Sequence, residues 1–237
     1  MKLGPVEINK LHHIDCLELM KKLPKESIDL ILTDPPYGVN FVPQREAAKK
    51  KYGTAPIAND EIQDDEWEKW FTPIAEELYR VLKNDSVAYL FSGYKVDRHY
   101  YTVLEAAGFD IKAVMIWVKN QFGLGYHFRR QYEKIVVAFK GKPPVPSKAI
   151  SDVIFDAKVN SKMQIHSCQK PLPLLGILLR QYSNEGDVVL EPFAGSGSHL
   201  MACEKNNRNW VACEVDDTHF ENADDRVKRE QQQLKLF

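Results

Sequence analysis

The stretch that most limits what this chain can become is residues 28–37, IDLILTDPPY. Ile28, Leu30, Ile31 and Leu32 make a nearly continuous apolar run, the pattern of a short strand buried on both faces inside a parallel sheet. The run stops at Asp34-Pro35-Pro36-Tyr37. Consecutive prolines donate no ladder hydrogen bonds, and each biases the residue before it away from helix, so the backbone after Thr33 is held extended and stiff. An acid and an aromatic ring therefore leave the strand in a fixed mutual geometry.

A carboxylate, a proline carbonyl and an aromatic face in that arrangement match an exocyclic amino group on a nucleobase. Such a group can donate one hydrogen to Asp34 and the other to the Pro35 carbonyl while its ring stacks on Tyr37. Proline turns are also common as plain structure, and four residues alone favour that simpler account. The rest of the chain has to decide.

With 237 residues the chain can bury a full core, and a single domain over 1–237 is expected, with a loop insert at about 41–61. A composition of 44% hydrophobic and 27% charged residues is ordinary for a soluble globular protein, and no apolar run approaches the length of a bilayer span. The start lacks the apolar core of a signal peptide, so a cytoplasmic location is expected. Cys16, Cys168, Cys203 and Cys213 form no CxxC pair and read as buried reduced thiols. His12 and His13, adjacent on a short apolar piece, point to opposite faces of a strand, and no metal site is expected.

Net charge is only -1, but the charges are unevenly spread. Residues 119–162 hold nine basic residues against three acids, whereas residues 60–77 hold eight acids and one lysine. A basic sector of this kind can dock on phosphates, and an ordinary solvated face accounts for it equally well. Lys49, Lys50 and Lys51 in the insert, with Arg129 and Arg130 at a loop tip carrying Gly123, Gly125, Tyr126 and His127, are the candidate DNA contacts on charge and placement.

Periodicity orders the remainder. Leu17, Met20 and Leu23 predict a helix closed by Pro24, and residues 65–82 predict a longer one whose tryptophans belong to the core. Strands are predicted at 86–91, 113–119 and 132–139, the last two as an antiparallel hairpin, with a helix at 96–107 ending at Gly108. Residues 142–165 read as irregular and polar; a helix follows at 171–182 and a strand at 188–190.

That last strand runs into Glu191-Pro192-Phe193-Ala194-Gly195-Ser196-Gly197-Ser198 and a helix from about 199, and the next strand, 210–213, ends at Glu214. Glycines let a backbone approach a ligand, a helix start offers free amides, and an acid roughly 20 residues beyond the glycines is placed for a ribose diol. The third glycine of G-x-G-x-x-G and a Walker lysine are both missing, which lowers dinucleotides and ATP and favours a ribose-bearing ligand without phosphates, S-adenosylmethionine first.

Together, Asp34-Pro35-Pro36-Tyr37 and the segment 191–198 resemble the DNA amino-methyltransferases, adenine- or cytosine-specific, in the permuted order with the acid–proline motif first. The resemblance extends over 12–40, 70–140 and 166–216, including His166, Gln169, Lys170 and Pro171, and leaves the insert, residues 141–165 and the tail unmatched. It implies a Rossmann-like S-adenosylmethionine-dependent fold: a mixed, mostly parallel seven-stranded sheet with helices on both faces. Asp34, Pro35, Pro36 and Tyr37 would be catalytic. Asp15 would meet the cofactor's adenine, Glu214 its ribose, and Lys170, Phe193, Gly195 and Ser198 its methionine part, with Cys16, Asp34, Pro171, Glu191, Ser196 and Gly197 completing the set. Glu191 and Ser198 stand where aspartate and threonine are usual, and both substitutions keep the chemistry.

The implied reaction is methyl transfer to N6 of an adenine flipped from double-stranded DNA. Within the family, Asp at the first motif position tends to accompany adenine and Ser cytosine; N4 methylation of cytosine is the alternative. An RNA or a protein glutamine amide is disfavoured, because related turns in those enzymes more often begin with Asn. A catalytically inactive DNA-binding or regulatory module of the same fold is the alternative from another class, although the intact Asp34, Tyr37, Gly195, Gly197 and Glu214 speak against it. By the same resemblance, residues at about 141–165 would form a short target-recognition segment; the oligomeric state is left open between monomer and homodimer, and a cognate restriction endonuclease could be a partner.

Overall fold

The computed structural model describes residues 1–38, 58–62, 64–93, 96–123, 127–144, 150–156 and 169–234. A small antiparallel hairpin, β1 (Lys2–Leu3) and β2 (Val6–Glu7), precedes the main body. There follow β3 (Leu11–His13), α1 (Cys16–Lys22), β4 (Ile28–Thr33), α2 (Asp64–Val81), β5 (Leu82–Ser92), α3 (Asp97–Ala107), β6 (Asp110–Val118), β7 (Tyr132–Lys140), β8 (Val153–Phe155), α4 (Leu172–Tyr182), β9 (Val188–Glu191), α5 (Ser198–Lys205), β10 (Asn209–Glu214) and α6 (Asp217–Leu234).

The main sheet has the order β3-β10-β9-β4-β5-β7-β6-β8. Among the described residues β7 alone runs against its neighbours; every other pair is parallel. This is the expected mixed, mainly parallel α/β sheet, with the short β8 added at its edge. The continuous apolar run of β4 has its reason here: Ile28 and Ile31 face one core with α1, α2 and α3, while Leu30 and Leu32 face a second with α4, α5 and α6. Such burial contributes about 1.5–3 kcal/mol per large aliphatic side chain.

Local signals set the helix ends. Asp15 caps α1 by accepting from the amides of Leu17 at 2.9 Å and Glu18 at 3.3 Å. Gly108, at a φ of 107°, ends α3 in the left-handed conformation. Pro171 is the N-cap of α4, with a second proline in its first turn.

Two expectations are revised. Residues 142–165 are not wholly irregular, since β8 pairs in parallel with β6 through Val153, Ile154 and Phe155; three residues are too few to display a period. The tail, which matched nothing, forms the amphipathic helix α6, whose Ala223 and Val227 enter the second core. The expected insert lies mostly outside the described residues, as do Lys49, Lys50, Lys51, His166 and Cys168. Cys16, Cys203 and Cys213 are free and buried, as expected. Among the described residues no helix is long and apolar enough to cross a membrane.

Candidate active site

The two motifs come together because their strands are neighbours. β4 and β9 pair in parallel, Leu30 with Val189 and Ile31 with Leu190, so Asp34 and the glycine loop leave the same edge of the sheet side by side. From β9 the chain crosses through α5 to β10 on one side, while β4 has β5 on its other side. This reversal of strand order opens a crevice at the carboxyl ends, where open α/β sheets place ligands. Thr33 Oγ1 donates to Glu191 Oε1 at 2.6 Å and joins the two strand ends directly.

The acid–proline turn is pinned from several sides. Trp67 Nε1 donates to the Pro36 carbonyl at 3.0 Å, and the Tyr37 amide donates to the buried Asp60 carboxylate at 3.0 Å. Gly93 lies against the Tyr37 ring so closely that a Cβ there would stand 2.8 Å from it, which leaves room for no other residue. Tyr37 as a whole residue is partly exposed. Burial, and then the Asp34 charge, raises the Tyr37 phenol well above its ordinary range, so it stays protonated and donates to Asp34 Oδ1.

The other oxygen of Asp34 meets Lys170. The ammonium, 4% exposed, lies 2.6 Å from Asp34 Oδ2 and 3.1 Å from Glu133 Oε2. It also sits 4.8 Å from the centre of the Phe91 ring. Lys119 pairs with the second oxygen of Glu133. Burial opposes the Glu133 charge, but Lys170 and Lys119 prevail and hold its carboxyl at about 2. Lys170, expected around the cofactor's methionine part, thus stands on the Asp34 side of the crevice.

Across the crevice, Glu191 is 1% exposed and accepts from the Phe193 amide at 2.9 Å as well as from Thr33; His199 Nδ1 lies 2.7 Å from its other oxygen. Gly195 and Gly197 both have positive φ, 49° and 71°. At Gly197 a Cβ would press to 3.3 Å on Ala223 of α6, whereas at Gly195 nothing outside the loop comes nearer than the Phe193 carbonyl at 3.9 Å. The loop is therefore open on the Gly195 side. Glu214 accepts from the Gly195 amide at 2.7 Å through Oε2, and from Val215 at 2.9 Å and Asp216 at 3.0 Å through Oε1. The Ser196 and Ser198 hydroxyls are 2.8 Å apart.

Asp15 and Cys16 follow β3, which pairs with β10 at the same edge through His13 and Glu214. Burial, with the Asp15 charge second, pushes the Cys16 thiol up to about 12, so it is no nucleophile. Arg129 and Arg130 are exposed on the connection between β6 and β7, and Arg129 Nε donates to the Gly123 carbonyl at 3.1 Å. β6 ends, and β7 begins, at the carboxyl edge, because β6 is parallel to β4 and β5.

Several participants escaped the motif reading. Glu133 had a signal: it alternates in phase with Ile135 and Val137 along β7, on the inward face. Arg226 had one too, lying between Ala223 and Val227 on the apolar stripe of α6; its Nη1 donates to the Ser196 carbonyl at 2.7 Å. Trp70, read as core, is only partly buried and packs 6.0 Å from Phe193, centre to centre. Asp60 gave no signal, since nothing in the neighbouring sequence marks it.

A doubly wound sheet that carries an acid–proline turn and an open glycine loop on adjacent strand ends is the scaffold of a group-transfer enzyme with a nucleoside-type ligand. The chain belongs to the DNA methylase family, whose model matches residues 28–225. YubD of Escherichia coli (strain K12) is 30% identical to it over 202 residues, covering 85% of this chain and 82% of YubD. The crystal structure of M1.HpyAVI in complex with S-adenosylmethionine superposes with a TM-score of 0.66 at 24% identity, covering 92% of this chain and 98% of the other. The cytosine-N4-specific PvuII DNA methyltransferase superposes with a TM-score of 0.70 at 18% identity, covering 94% and 91%. At these identities the two structural likenesses speak for the fold.

Proposed function

We propose that this DNA methylase transfers a methyl group from S-adenosylmethionine to the N6 amino group of an adenine flipped out of double-stranded DNA. The observation that carries the reading is the adjacency of Asp34 and the Gly195 loop on hydrogen-bonded parallel strands, with Thr33 and Glu191 joined between them.

The residues present suit the cofactor. Glu214 accepts two backbone amides through Oε1 but only the Gly195 amide through Oε2, which keeps lone-pair capacity for a ribose hydroxyl. The open side of Gly195 and the start of α5 are suited to the methionine part, and Phe193, partly exposed, offers an apolar wall. When bound, S-adenosylmethionine supplies a methyl group made electrophilic by the sulfonium charge.

The chain's own residues prepare the nucleophile. An adenine amino lone pair is delocalised into the ring and attacks poorly. Hydrogen bonds from its two N–H groups to Asp34 and the Pro35 carbonyl favour a more pyramidal nitrogen, and the Tyr37 face holds the base. A stacked, paired base cannot reach this crevice, so flipping precedes transfer. Arg129 and Arg130, on the connection between β6 and β7 at the same edge, are suited to the phosphates. N4 methylation of cytosine is the second reading, since the same acid–proline turn can hold either exocyclic amino group, and Asp34 weighs against it.

Purified protein given unmodified duplex DNA and methyl-labelled cofactor is expected to move label into the DNA. Cofactor binding with no incorporation would instead favour a non-catalytic module.

A further inference from the structure

We infer that Glu133 is a positioning residue for the transfer: it receives the Lys170 ammonium when the substrate amino group takes that ammonium's place on Asp34. The inference rests on the reaction proposed above and deepens it.

In the resting arrangement both oxygens of Asp34 are taken, Oδ1 by the Tyr37 hydroxyl and Oδ2 by Lys170. Each oxygen keeps a second lone pair, and the exchange inferred is the one in which the incoming amino group takes the ammonium's position on Oδ2. The Lys170 ammonium is 4% exposed, and a buried cation driven off its partner with no second carboxylate in reach is strongly disfavoured. Glu133 supplies that second carboxylate at 3.1 Å. Its Oε1 is held by Lys119, while Oε2 pairs with Lys170, so each oxygen of Glu133 has its own ammonium.

Charge balance points the same way. Asp34 and Glu133 carry two negative charges, Lys170 and Lys119 two positive ones. Removing the Glu133 charge would take one of two carboxylates from Lys170 and leave excess positive charge beside Asp34, clamping Lys170 onto the oxygen the substrate needs. Burial alone would neutralise Glu133; the two lysines keep it ionised, as the arrangement requires. Glu133 also shares its sheet face with Trp117 and Ile135, where a carboxylate contributes nothing to an apolar core.

The test uses the full chain, duplex DNA and S-adenosylmethionine. Glu133→Gln is expected to lower kcat about 10- to 100-fold, the scale of a small misplacement at a reacting centre, with the KM for DNA and the Kd for cofactor nearly unchanged. Glu133→Asp, which keeps the charge, is expected to recover most of the rate. In a Lys170→Met background, Glu133→Gln should cause no further loss, because its effect runs through Lys170. Wild-type rates in Glu133→Gln, a loss confined to KM, or full additivity in the double variant would each overturn the inference. An inert wild-type protein would overturn instead the reaction on which it rests.

Discussion

Asp34→Ala is expected to abolish methyl transfer, lowering kcat by at least about a thousandfold, the upper range for removing one preorganised hydrogen-bonding group at a reacting centre. The fold is expected to survive, because Lys170 keeps Glu133 as a partner 3.1 Å away and the Tyr37 hydroxyl keeps Lys170 at 3.5 Å. Cofactor affinity should change little, since the Gly195 loop and Glu214 are held by contacts that do not include Asp34. Single-turnover transfer of labelled methyl, measured beside a cofactor titration, checks both parts. Full residual activity in Asp34→Ala would remove Asp34 from the chemistry.

Glu191→Ala should have the largest effect on stability. This carboxylate, 1% exposed, gathers the Thr33 hydroxyl at 2.6 Å, the Phe193 amide at 2.9 Å and His199 Nδ1 at 2.7 Å. Truncation leaves all three without that partner in a site closed to water, a loss of about 3–5 kcal/mol by comparison with other buried polar pairs broken from one side. For a chain of this size that corresponds to a Tm lower by roughly 10 °C. Because Glu191 joins β4 to β9, cofactor affinity should fall with it. Thermal unfolding decides: a shift within about 1 °C would mean that the neighbouring strands hold the crevice without this acid.

Much of this architecture is written locally. The doubly buried run at β4, the hairpin of β6 and β7, and the glycine loop after β9 each carry their signal within about ten residues, where period and turn chemistry act. Adjacency of β4 and β9 is different: 158 positions separate Thr33 from Glu191, and only the resemblance to a known family implied that they meet. Edge strand β8 was too short to betray itself, and α6 was hidden because most of its positions are polar or charged, since a helix covering one side of a core needs few apolar ones.

The site follows the same division. Asp34, Tyr37, Gly195 and Glu214 were legible because each needs its neighbours in sequence. The buried ion cluster was not, because Lys119, Glu133 and Lys170 come from three separate segments and meet only when β6, β7 and the approach to α4 fold together. The basic sector that contains Lys119 and Lys134 read equally as a phosphate-docking surface or an ordinary solvated face. In the structure Lys119 pairs with Glu133 and Lys134 with Asp97, so part of that charge is neutralised internally.

The measurement that bears most directly on the central claim is the identity of the modified base. Unmethylated duplex DNA is incubated with the protein and S-adenosylmethionine, digested to nucleosides and analysed by mass spectrometry, with Asp34→Ala run in parallel. N6-methyladenine from the wild-type protein, absent from the variant, is the predicted result; N4-methylcytosine, or wholly unmodified nucleosides, would contradict it.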